Sequence, residues 1–389
     1  MKLSPDIRDS ATLKFSELAK EKNRRKEKII SLGIGEPMFD TPPEIVEATY
    51  DAMKKGYTKY SDPLGLVELR ELIKDKLLKD NGIDVSIDNI VVTPGAKQAL
   101  SLALMALLEP NDEVINITPC YVSYIPQIKI AEPSAVIHNI DLDKHDHSLD
   151  RGKIKKAFNK KTKAIIINSP HNPTGKMLER DEIGFLARLV KGTGCYVVSD
   201  EIYEKLNFSG MRHYSIGAVK EIKDKAITIN GFSKAFSMTG WRIGYLAAPK
   251  ELIKAISRLQ QHLNTNTCTF IQKGACSAFS LNEDYPKAYN SALKERESLL
   301  VEMVKSNSAL RLVRPAGGLF AFLDISGASH GSDRFSARLL DRKNVAVIPG
   351  VSFGENWDDH VRISLVAQTD EFREGMRRID EFVRSEDGP

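Results

Sequence analysis

One lysine of this sequence lies among residues that are unusual neighbours for a charged side chain. Lys234 stands between a serine and an alanine in the run NGFSKAFSMTGWRIGY, which is rich in small and aromatic residues. A lysine that is removed from water has a lowered pKa, and its neutral amine can form an imine with a carbonyl group. The ordinary alternative is a surface lysine with its stem on apolar surface. Arg242, eight positions later, offers a planar fork for a phosphate or carboxylate.

Other polar side chains follow strand-like runs. Asn172 comes after KAIIINSP, Asp200 closes CYVVSD, and Ser233 and Lys234 follow KAITIN. The carboxyl ends of strands in an open α/β sheet form the edge where ligands bind, so we expect these side chains to share one site. Asp200 has a second interpretation, because SDEIYE also has the pattern of a helix start with Asp200 as its N-cap.

A phosphate position and a second arginine complete the set. The segment GAKQAL places small residues at a strand-to-helix turn, where free N–H groups favour a phosphate, although many helices begin this way. Arg362, in the run HVRISLV, offers another guanidinium fork. A carboxylate, a lysine, a phosphate cradle and two arginines suit pyridoxal phosphate, whose ring nitrogen pairs with an acid while the lysine holds its aldehyde carbon.

The elements that must position these side chains alternate between strand and helix. Most of the strand-like runs are continuously apolar, as strands covered on both faces are, and helical patterns at 97–108 and 180–192 separate some of them. The strand candidates are 89–94, 113–118, 135–140, 163–170, 195–200, 225–230 and 243–249. This alternation predicts an α/β fold with a mainly parallel sheet flanked by helices.

The pattern changes after residue 280, where a long charged helix is expected over 284–306, followed by short apolar runs and a closing helix. A chain of 389 residues exceeds what one hydrophobic core usually serves. We therefore expect a large domain over residues 46–283 and a smaller α+β domain over 284–389. The N-terminal arm, 1–45, should pack on the smaller domain.

Composition argues against several classes of protein. The formal net charge of +4 is too small to indicate a nucleic-acid or membrane partner. No apolar run approaches the ~18 residues of a membrane helix, and the first residues lack the apolar segment of a signal peptide. The four cysteines show no C-x-x-C spacing, which favours free thiols. We expect a cytoplasmic protein without a metal site, since the HDH run at 145–147 is too compressed for one.

Several segments, taken in order, resemble the class I aminotransferases of the pyridoxal-phosphate fold-type I family, the branch of the aspartate, aromatic and kynurenine aminotransferases. They are GIGEP, YTKYSDPLGLVELRE, TPGAKQAL, NSPHNPTG, VSDEIYE, SKAFSMTGWRIGY and VRISL, within residues 31–366. The resemblance implies a homodimer with shared active sites. It also implies a ping-pong transfer of the amino group from an L-amino acid, aspartate or aromatic, to 2-oxoglutarate.

The resemblance further implies a role for each matching residue around the cofactor ring. Lys234 would form the Schiff base and later move the proton. Asp200 would keep the ring nitrogen protonated. Asn172 and Tyr203 would hydrogen-bond the 3-oxygen of the ring, so that Lys234, Asp200 and Tyr203 would be catalytic. Tyr121 would stack on the ring face, unless it is a core aromatic residue.

The same resemblance implies residues for the phosphate and for the substrate. The phosphate would be held by Gly95, Ala96, Lys97, Ser233, Arg242 and, across the dimer, by Tyr60. Many relatives carry a serine three residues before the lysine; Gly231 stands there in this chain, so the phosphate would lack one donor. Arg362 would bind the α-carboxylate of the substrate beside Asn172, and Gly35 would admit the substrate close to the backbone.

Alternatives stay open on the same motifs. A β-lyase that cleaves C–S bonds would use the same cofactor residues, and a kynurenine aminotransferase is another candidate. Ligand-sensing modules of transcription regulators share the fold, but they need a winged helix, for which the residues ahead of SLGIGEP are too few. The sequence identifies no second cation for a dicarboxylate. His171 stands where bulky residues are common in aromatic-type enzymes, so we expect use of both aspartate and aromatic donors.

Reduction with borohydride tests the assignment of Lys234. The purified protein, soaked in pyridoxal phosphate and reduced, should carry the cofactor on one peptide that contains Lys234, because its amine is the one expected to be withdrawn from water. Peptide mass spectrometry locates the label, and a Lys234→Ala variant should take up none. A label on another lysine of the wild-type protein would contradict the assignment.

Overall fold

The computed structural model describes residues 28–281, 284–329 and 331–385. The strands in these ranges are β1 Ile30–Ser31, β2 Ile90–Thr93, β3 Glu113–Thr118, β4 Val136–Asp141, β5 Thr162–Asn168, β6 Tyr196–Asp200, β7 Ala226–Gly231, β8 Gly244–Ala247, β9 Arg311–Leu312, β10 Phe320–Asp324, β11 Val345–Ala346, β12 Ile348–Pro349 and β13 His360–Ser364. The α-helices are α1 Pro43–Lys54, α2 Val67–Lys76, α3 Ala96–Leu107, α4 Tyr124–Ala131, α5 Arg151–Ala157, α6 Arg180–Val190, α7 Lys250–Leu263, α8 Thr269–Cys276, α9 Asp284–Lys305, α10 Ser332–Lys343 and α11 Thr369–Arg384.

A seven-stranded sheet in the order β2-β8-β7-β6-β5-β3-β4 forms the centre of the fold. Neighbouring strands are parallel except at β8, which is antiparallel to both β2 and β7. All seven predicted strands are confirmed, and so is the mainly parallel sheet flanked by helices. The predicted helices at 97–108, 180–192 and 284–306 are present as α3, α6 and α9, with ends that differ by no more than two residues.

Helices on both faces explain why the central strands are apolar throughout. Val114 and Ile166 pack into a core with α3 and α7. The next residues toward the other face, Ile115 and Ile165, pack into a second core with α6. Successive side chains of a strand point to opposite faces, so a strand covered on both sides needs an apolar residue at every position.

A second, smaller sheet in the order β12-β13-β10-β9 is antiparallel. Residues of β10 and β13 share one core with α9, α10 and α11, whereas Phe322 and Ile348 pack into the core that contains α6. The strand β1 pairs in parallel with β11 and joins residues 30–31 to this part of the molecule. Most of the predicted arm, residues 1–27, lies outside the described residues, and the domain boundaries at 45 and 283 stay a proposal.

The carboxyl ends of β5, β6 and β7 form the edge of the central sheet that matters for function. Asn168 and Asp200 are paired in register at this edge, and Asp200 is paired with Ile229 of β7. The segment 32–42, which connects β1 to α1, passes close to the same edge, because Gly35 accepts a hydrogen bond from Lys234 there. Strand β13 of the smaller sheet brings Arg362 to it.

Two expectations from composition can be compared with the structure. The four cysteines are free thiols, as predicted, and two of them are buried. Within the residues that the structure describes, no helix combines the length and the apolar character that a membrane span requires.

Candidate active site

Lys234 lies in the turn that follows β7, with its side chain partly buried. Its Nζ donates a hydrogen bond to the carbonyl oxygen of Gly35 at 2.7 Å. Burial lowers the pKa of Lys234 to about 8; the charge of Glu36 opposes this change, and the charges of Arg362 and Arg242 reinforce it. A lysine with this pKa has a far larger neutral fraction near neutral pH than an ordinary lysine, and the neutral amine is the form that attacks a carbonyl carbon.

Asp200 ends β6 beside that lysine. Burial raises the pKa of its carboxyl group to about 6, while a hydrogen bond from Tyr124 opposes the increase. The Tyr124 hydroxyl donates to Oδ2 at 2.8 Å, and the backbone N–H of Ile202 donates to Oδ1 at 3.2 Å. Residues 202–205 form turns, so the interpretation of Asp200 as the N-cap of an α-helix is wrong. The side chain caps a turn and remains partly exposed.

Tyr124 is a site residue that the sequence analysis missed. It begins α4 and is almost completely buried. Burial raises the pKa of its hydroxyl, and the charge of Asp200 adds to that increase, so the hydroxyl stays a proton donor. The run PCYVSY contains the signal, because Tyr124 follows Tyr121 by three positions, a spacing that can place two side chains together at a helix start. The two rings meet edge to face at 5.6 Å.

Tyr121 and Lys97 lie at the same edge. Tyr121 is partly exposed and packs against the core that contains α3 and α7, so its stacking on a cofactor ring stays a prediction. The ammonium group of Lys97 is 5.7 Å from the centre of the Tyr121 ring. Lys97 also contributes to the lowered pKa of Lys234 through its charge. The Lys97 side chain has no ion-pair partner among the described residues.

The first turn of α3 forms a cradle for an anion. Gly95 has a φ of +87°, which suits glycine, and α3 begins at Ala96. The N–H groups of Ala96 and Lys97 are the first of the helix and have no acceptor within it, because a helix leaves its first donors unpaired. The guanidinium of Arg242 lies against Gly95: a Cβ atom there would be 2.6 Å from Nη2. Free N–H groups and an adjacent guanidinium fit a phosphate.

Arg362 is the most strongly constrained cation of the site. It is only 3% exposed, and no carboxylate pairs with it among the described residues. Its Nη1 donates to Asn172 Oδ1 at 3.1 Å and its Nη2 donates to the Gly33 carbonyl at 2.8 Å, while the buried Nε has no partner. The rings of Phe320 and Phe353 lie 3.9 and 5.0 Å from the guanidinium. Burial lowers the pKa of Arg362 to about 10.

This burial has a consequence for what the site binds. A buried charge is costly unless it is paired, and a guanidinium pairs best with a two-oxygen anion. Neutral oxygens satisfy part of the Arg362 fork and leave its Nε–H without an acceptor among the described residues. The arrangement therefore favours a carboxylate of a ligand at this position.

Tyr203 and Asn172 connect Arg362 to Asp200. Burial raises the pKa of Tyr203 well above its ordinary value, with contributions from the nearby Tyr121 and Asp200, while a hydrogen bond with Asn172 opposes the increase. The backbone N–H of Asn172 donates to Asn168 Oδ1 at 2.7 Å, which holds the loop after β5. Asn172 thus contacts both Arg362 and Tyr203.

Two glycines of the site are required by close approach. A Cβ atom on Gly35 would lie 2.8 Å from Cζ of Phe320. One on Gly231 would lie 2.9 Å from the Cα atom of Gly244 in the neighbouring strand β8. The absence of a serine at position 231 is therefore set by the packing of β7 against β8, and Ser233, which is buried, is the serine beside Lys234.

Two residues singled out in the sequence lie outside this group. The side chain of Tyr60 is 85% exposed. His171 is buried beside a cavity of about 10 Å³, with Leu142, Leu149 and Leu178 among its lining residues. Its Nδ1 is hydrogen-bonded to Thr174 Oγ1 at 2.8 Å. His171 therefore helps to support the loop after β5, and its position gives no information about the substrate side chain.

Comparison with known proteins shows which protein family this chain is similar to. The sequence model described as "Aminotransferase class I and II" matches residues 27–379. The aspartate aminotransferase of Geobacillus stearothermophilus is 37% identical over 382 residues, which cover 97% of this chain and 96% of that protein. That of Thermotoga maritima is 38% identical, covering 98% of both chains. The structure of the Thermus thermophilus aspartate aminotransferase with maleate matches with a TM-score of 0.92 at 35% identity, covering 98% of this chain and 99% of that one.

A Tyr124→Phe variant tests the support of Asp200. The variant loses the hydrogen bond that favours the charged carboxylate, so the acid limb of the pH profile of activity should move to higher pH by roughly 1 pH unit, since such a bond contributes about 1.5 kcal/mol or more. Steady-state rates between pH 5 and pH 9 measure this. Tyr196→Phe is the control, because Tyr196 lies at the other end of β6. An unchanged acid limb in Tyr124→Phe would contradict the assignment.

Proposed function

This chain belongs to the class I and II aminotransferases, and from that premise we propose that it transfers the amino group of aspartate to 2-oxoglutarate in a ping-pong reaction with pyridoxal phosphate. The observation that carries the proposal is the buried fork of Arg362, which has no anionic partner among the described residues and lies near a lysine with a lowered pKa. Relatives at 36–38% identity are named aspartate aminotransferases, which supports aspartate as the donor.

The residues at the sheet edge fit pyridoxal phosphate. The cradle of Gly95, Ala96 and Arg242 suits its phosphate, and Asp200 suits its ring nitrogen. When bound, this cofactor supplies an aldehyde that takes up the amino group and a ring that accepts the electrons left when the Cα proton departs. Tyr124 keeps Asp200 ionised, so that Asp200 can hold a proton on the ring nitrogen.

Lys234 is the residue that moves the proton. Its lowered pKa lets it accept a proton from the substrate Cα near neutral pH and donate that proton again in a later step of the amino transfer. The hydrogen bond to Gly35 keeps Nζ at the sheet edge. Tyr203 and Asn172 orient the cofactor through its ring oxygen, because both are held by buried contacts of their own.

Arg362 binds the α-carboxylate of the donor. Its unpaired Nε and its Nη groups form the fork, and the rings of Phe320 and Phe353 exclude water from it. Charge-assisted pairing in such a dry environment is stronger than at a surface. Asn172 fixes the guanidinium plane from one side.

Lys97 is the cation that we assign to the side-chain carboxylate of aspartate. It projects from the first turn of α3, and its charge acts on Lys234. The sequence alone does not show this role, because it does not reveal that the first turn of α3 and the turn after β7 meet. With Arg362, Lys97 provides one cation for each carboxylate of a dicarboxylic donor.

A donor screen tests the function. With 2-oxoglutarate as acceptor, kcat/KM should be highest for aspartate among aspartate, phenylalanine, tyrosine, kynurenine and alanine. Lys97→Ala should lower kcat/KM for aspartate by about 10- to 100-fold, because a hydrogen bond to a charged group contributes about 1.5–3 kcal/mol. The value for phenylalanine should change by less than about threefold, since phenylalanine has no second carboxylate.

Lys155→Ala is the matched control for this screen. Its ammonium also lies over an aromatic ring, 5.8 Å from the centre of Phe185, but in α5 and away from the sheet edge. It should leave both donors unaffected. Equal losses for aspartate and phenylalanine in Lys97→Ala would contradict the role of Lys97, and alanine ahead of every other donor by 100-fold would contradict the proposed function.

We also propose that the protein is a homodimer with shared sites. Large apolar side chains are exposed along α1 and the segments on either side of it, and this concentration is typical of a contact surface. They are Phe39, Val46, Tyr50, Met53, Tyr57, Tyr60 and Val67. In this arrangement Tyr60 would serve the phosphate of the neighbouring subunit, which agrees with its exposure in the single chain.

Hybrid dimers test this arrangement. Light scattering should give twice the chain mass of 43.4 kDa. Mixing Lys234→Ala with Tyr60→Ala should restore part of the activity, because a hybrid dimer contains one site with both native residues.

Tyr50→Asp should weaken the dimer, whereas Leu263→Asp, at an exposed apolar residue of α7, should not. A fully active monomer would disprove the shared site.

A further inference from the structure

A buried cluster of charged side chains lies behind the turn that follows β6. Asp200 and Tyr203 of this turn belong to the active site. Glu201 and Glu204, from the same turn, belong to the cluster instead. Glu201 is 1% exposed, and the side chain of Glu204 is 7% exposed. Two buried carboxylates in one short turn need strong partners, because burial disfavours their charged forms.

Glu201 receives its hydrogen bonds from several segments. Its Oε2 accepts from Ser215 Oγ at 2.6 Å and from Asn81 Nδ2 at 3.1 Å, and it is 3.0 Å from His213 Nε2. Its Oε1 accepts from Ser199 Oγ at 3.0 Å. The carboxylate is therefore enclosed by donors, of which His213 alone can carry a charge.

Glu204 is held from the side of α2. It forms an ion pair with Lys76, the last residue of α2, and it accepts from Asn81 Nδ2 at 2.6 Å. Lys76 also donates to Asn81 Oδ1 at 2.7 Å. Asn81 thus joins the two carboxylates, and α2 anchors the turn through Lys76.

The charges of the cluster balance only when His213 is protonated. Glu201 and Glu204 face Lys76 and His213, while Asn81, Ser199 and Ser215 are neutral. Burial by itself lowers the pKa of His213, but the hydrogen bond and charge of Glu201 and the charge of Glu204 raise it above its ordinary value against the opposing charge of Lys76. Burial raises the pKa of Glu204, but the charges of Lys76 and His213 and the hydrogen bonds from Lys76 and Asn81 lower it to about 2.

The surrounding elements add few other charges. Tyr245 of β8 faces Glu204 and Glu201, and their charges, together with burial, keep its hydroxyl protonated. Asp80 is paired with Lys205 at 2.6 Å. Glu201, Glu204 and His213 are spaced closely enough for a metal ion, within 4.8 Å of one another. Lys76 and Asn81 already bind the oxygens that such an ion would use.

We propose that this cluster positions the turn carrying Asp200 and Tyr203, and that His213 is its positioning residue, which balances the two buried carboxylates and loosens the turn when it loses its proton. The proposal rests on the proposed function, through the roles of Asp200 and Tyr203. His213 is 12 positions beyond Glu201, and it acts on the turn through its contact with that carboxylate at 3.0 Å.

Stability of the apoenzyme gives the first readout with His213→Gln. A histidine whose pKa is raised in the folded state stabilises the protein below its unfolded pKa, and this contribution disappears as pH rises through the folded pKa. Tm of the variant should therefore lie below that of the wild type by about 2 °C or more at pH 5.5, and the difference should shrink at pH 9. An equal difference at both pH values would contradict a protonated His213.

Kinetics of the holoenzyme give the second readout. At pH 7 the variant should lose about 10-fold in kcat with KM for aspartate within twofold, because Asp200 and Tyr203 act on the cofactor whereas Arg362 and Lys97 bind the substrate. The pH dependence of the bound cofactor's absorbance should also differ from the wild type. In the wild type, kcat should fall toward the variant's value as pH rises through the pKa of His213.

Two further variants complete the design. His138→Gln is the matched control, because it also removes a histidine next to a glutamate: His138 Nε2 is 2.7 Å from Glu113 at the edge of the sheet. This variant should leave kcat and the spectrum unchanged. His213→Lys keeps a positive charge at pH 9 and should retain there the kcat that the wild type loses. It also serves as the second variant if His213→Gln does not fold.

The outcomes separate this proposal from the proposed function. If the wild type neither binds pyridoxal phosphate nor transaminates, the proposed function fails. If the wild type does both and His213→Gln keeps its kcat and spectrum, the cluster is only structural and the positioning role is wrong. If MnCl2 or ZnCl2 raises Tm of the wild type and not of His213→Gln, the cluster is a metal site, which also overturns the proposal.

Discussion

The buried guanidinium of Arg362 is the contact on which the site depends. It comes from β13 of the smaller sheet, yet it donates to Asn172 after β5 of the central sheet and to Gly33 of the segment 32–42. Three distant parts of the chain therefore meet at one charge. Because that charge is withdrawn from water, each of these contacts is needed to compensate for lost hydration. The same burial favours a ligand carboxylate as the partner of the Nε–H, which has no acceptor among the described residues.

The turns after the central strands divide their side chains between the site and its support. In the turn after β6, Asp200 and Tyr203 belong to the site, while Glu201 and Glu204 bind a separate cluster on the other side. After β5, Asn172 belongs to the site, whereas His171 lies in the support under the loop. A candidate catalytic side chain at a strand end is thus held by its sequence neighbours, which are anchored in packed structure.

Opposite shifts of two pKa values give the site its chemistry. Burial lowers the pKa of Lys234 to about 8 and raises that of Asp200 to about 6, so the two groups differ far less in proton affinity than they would in water. The charges of Arg362, Arg242 and Lys97 reinforce the lowered pKa of the lysine against the opposing charge of Glu36. The resulting environment favours proton transfer near neutral pH, and it favours anionic ligands over neutral ones.

The amino-acid sequence by itself determined the fold class and the edge of the sheet where the site lies. Continuous apolar runs and helical periodicity are local patterns, so all seven central strands could be predicted, and with them the positions of Asn172, Asp200 and Lys234 at strand ends. Only the tertiary structure decided that the residues after Asp200 form turns, that Tyr124 donates a hydrogen bond to Asp200, and that the charge of Lys97 acts on Lys234. It also decided the contact between Arg362 and Asn172, which are 190 positions apart. Such pairings depend on how sheets and helices pack together, and no pattern confined to neighbouring residues carries that information.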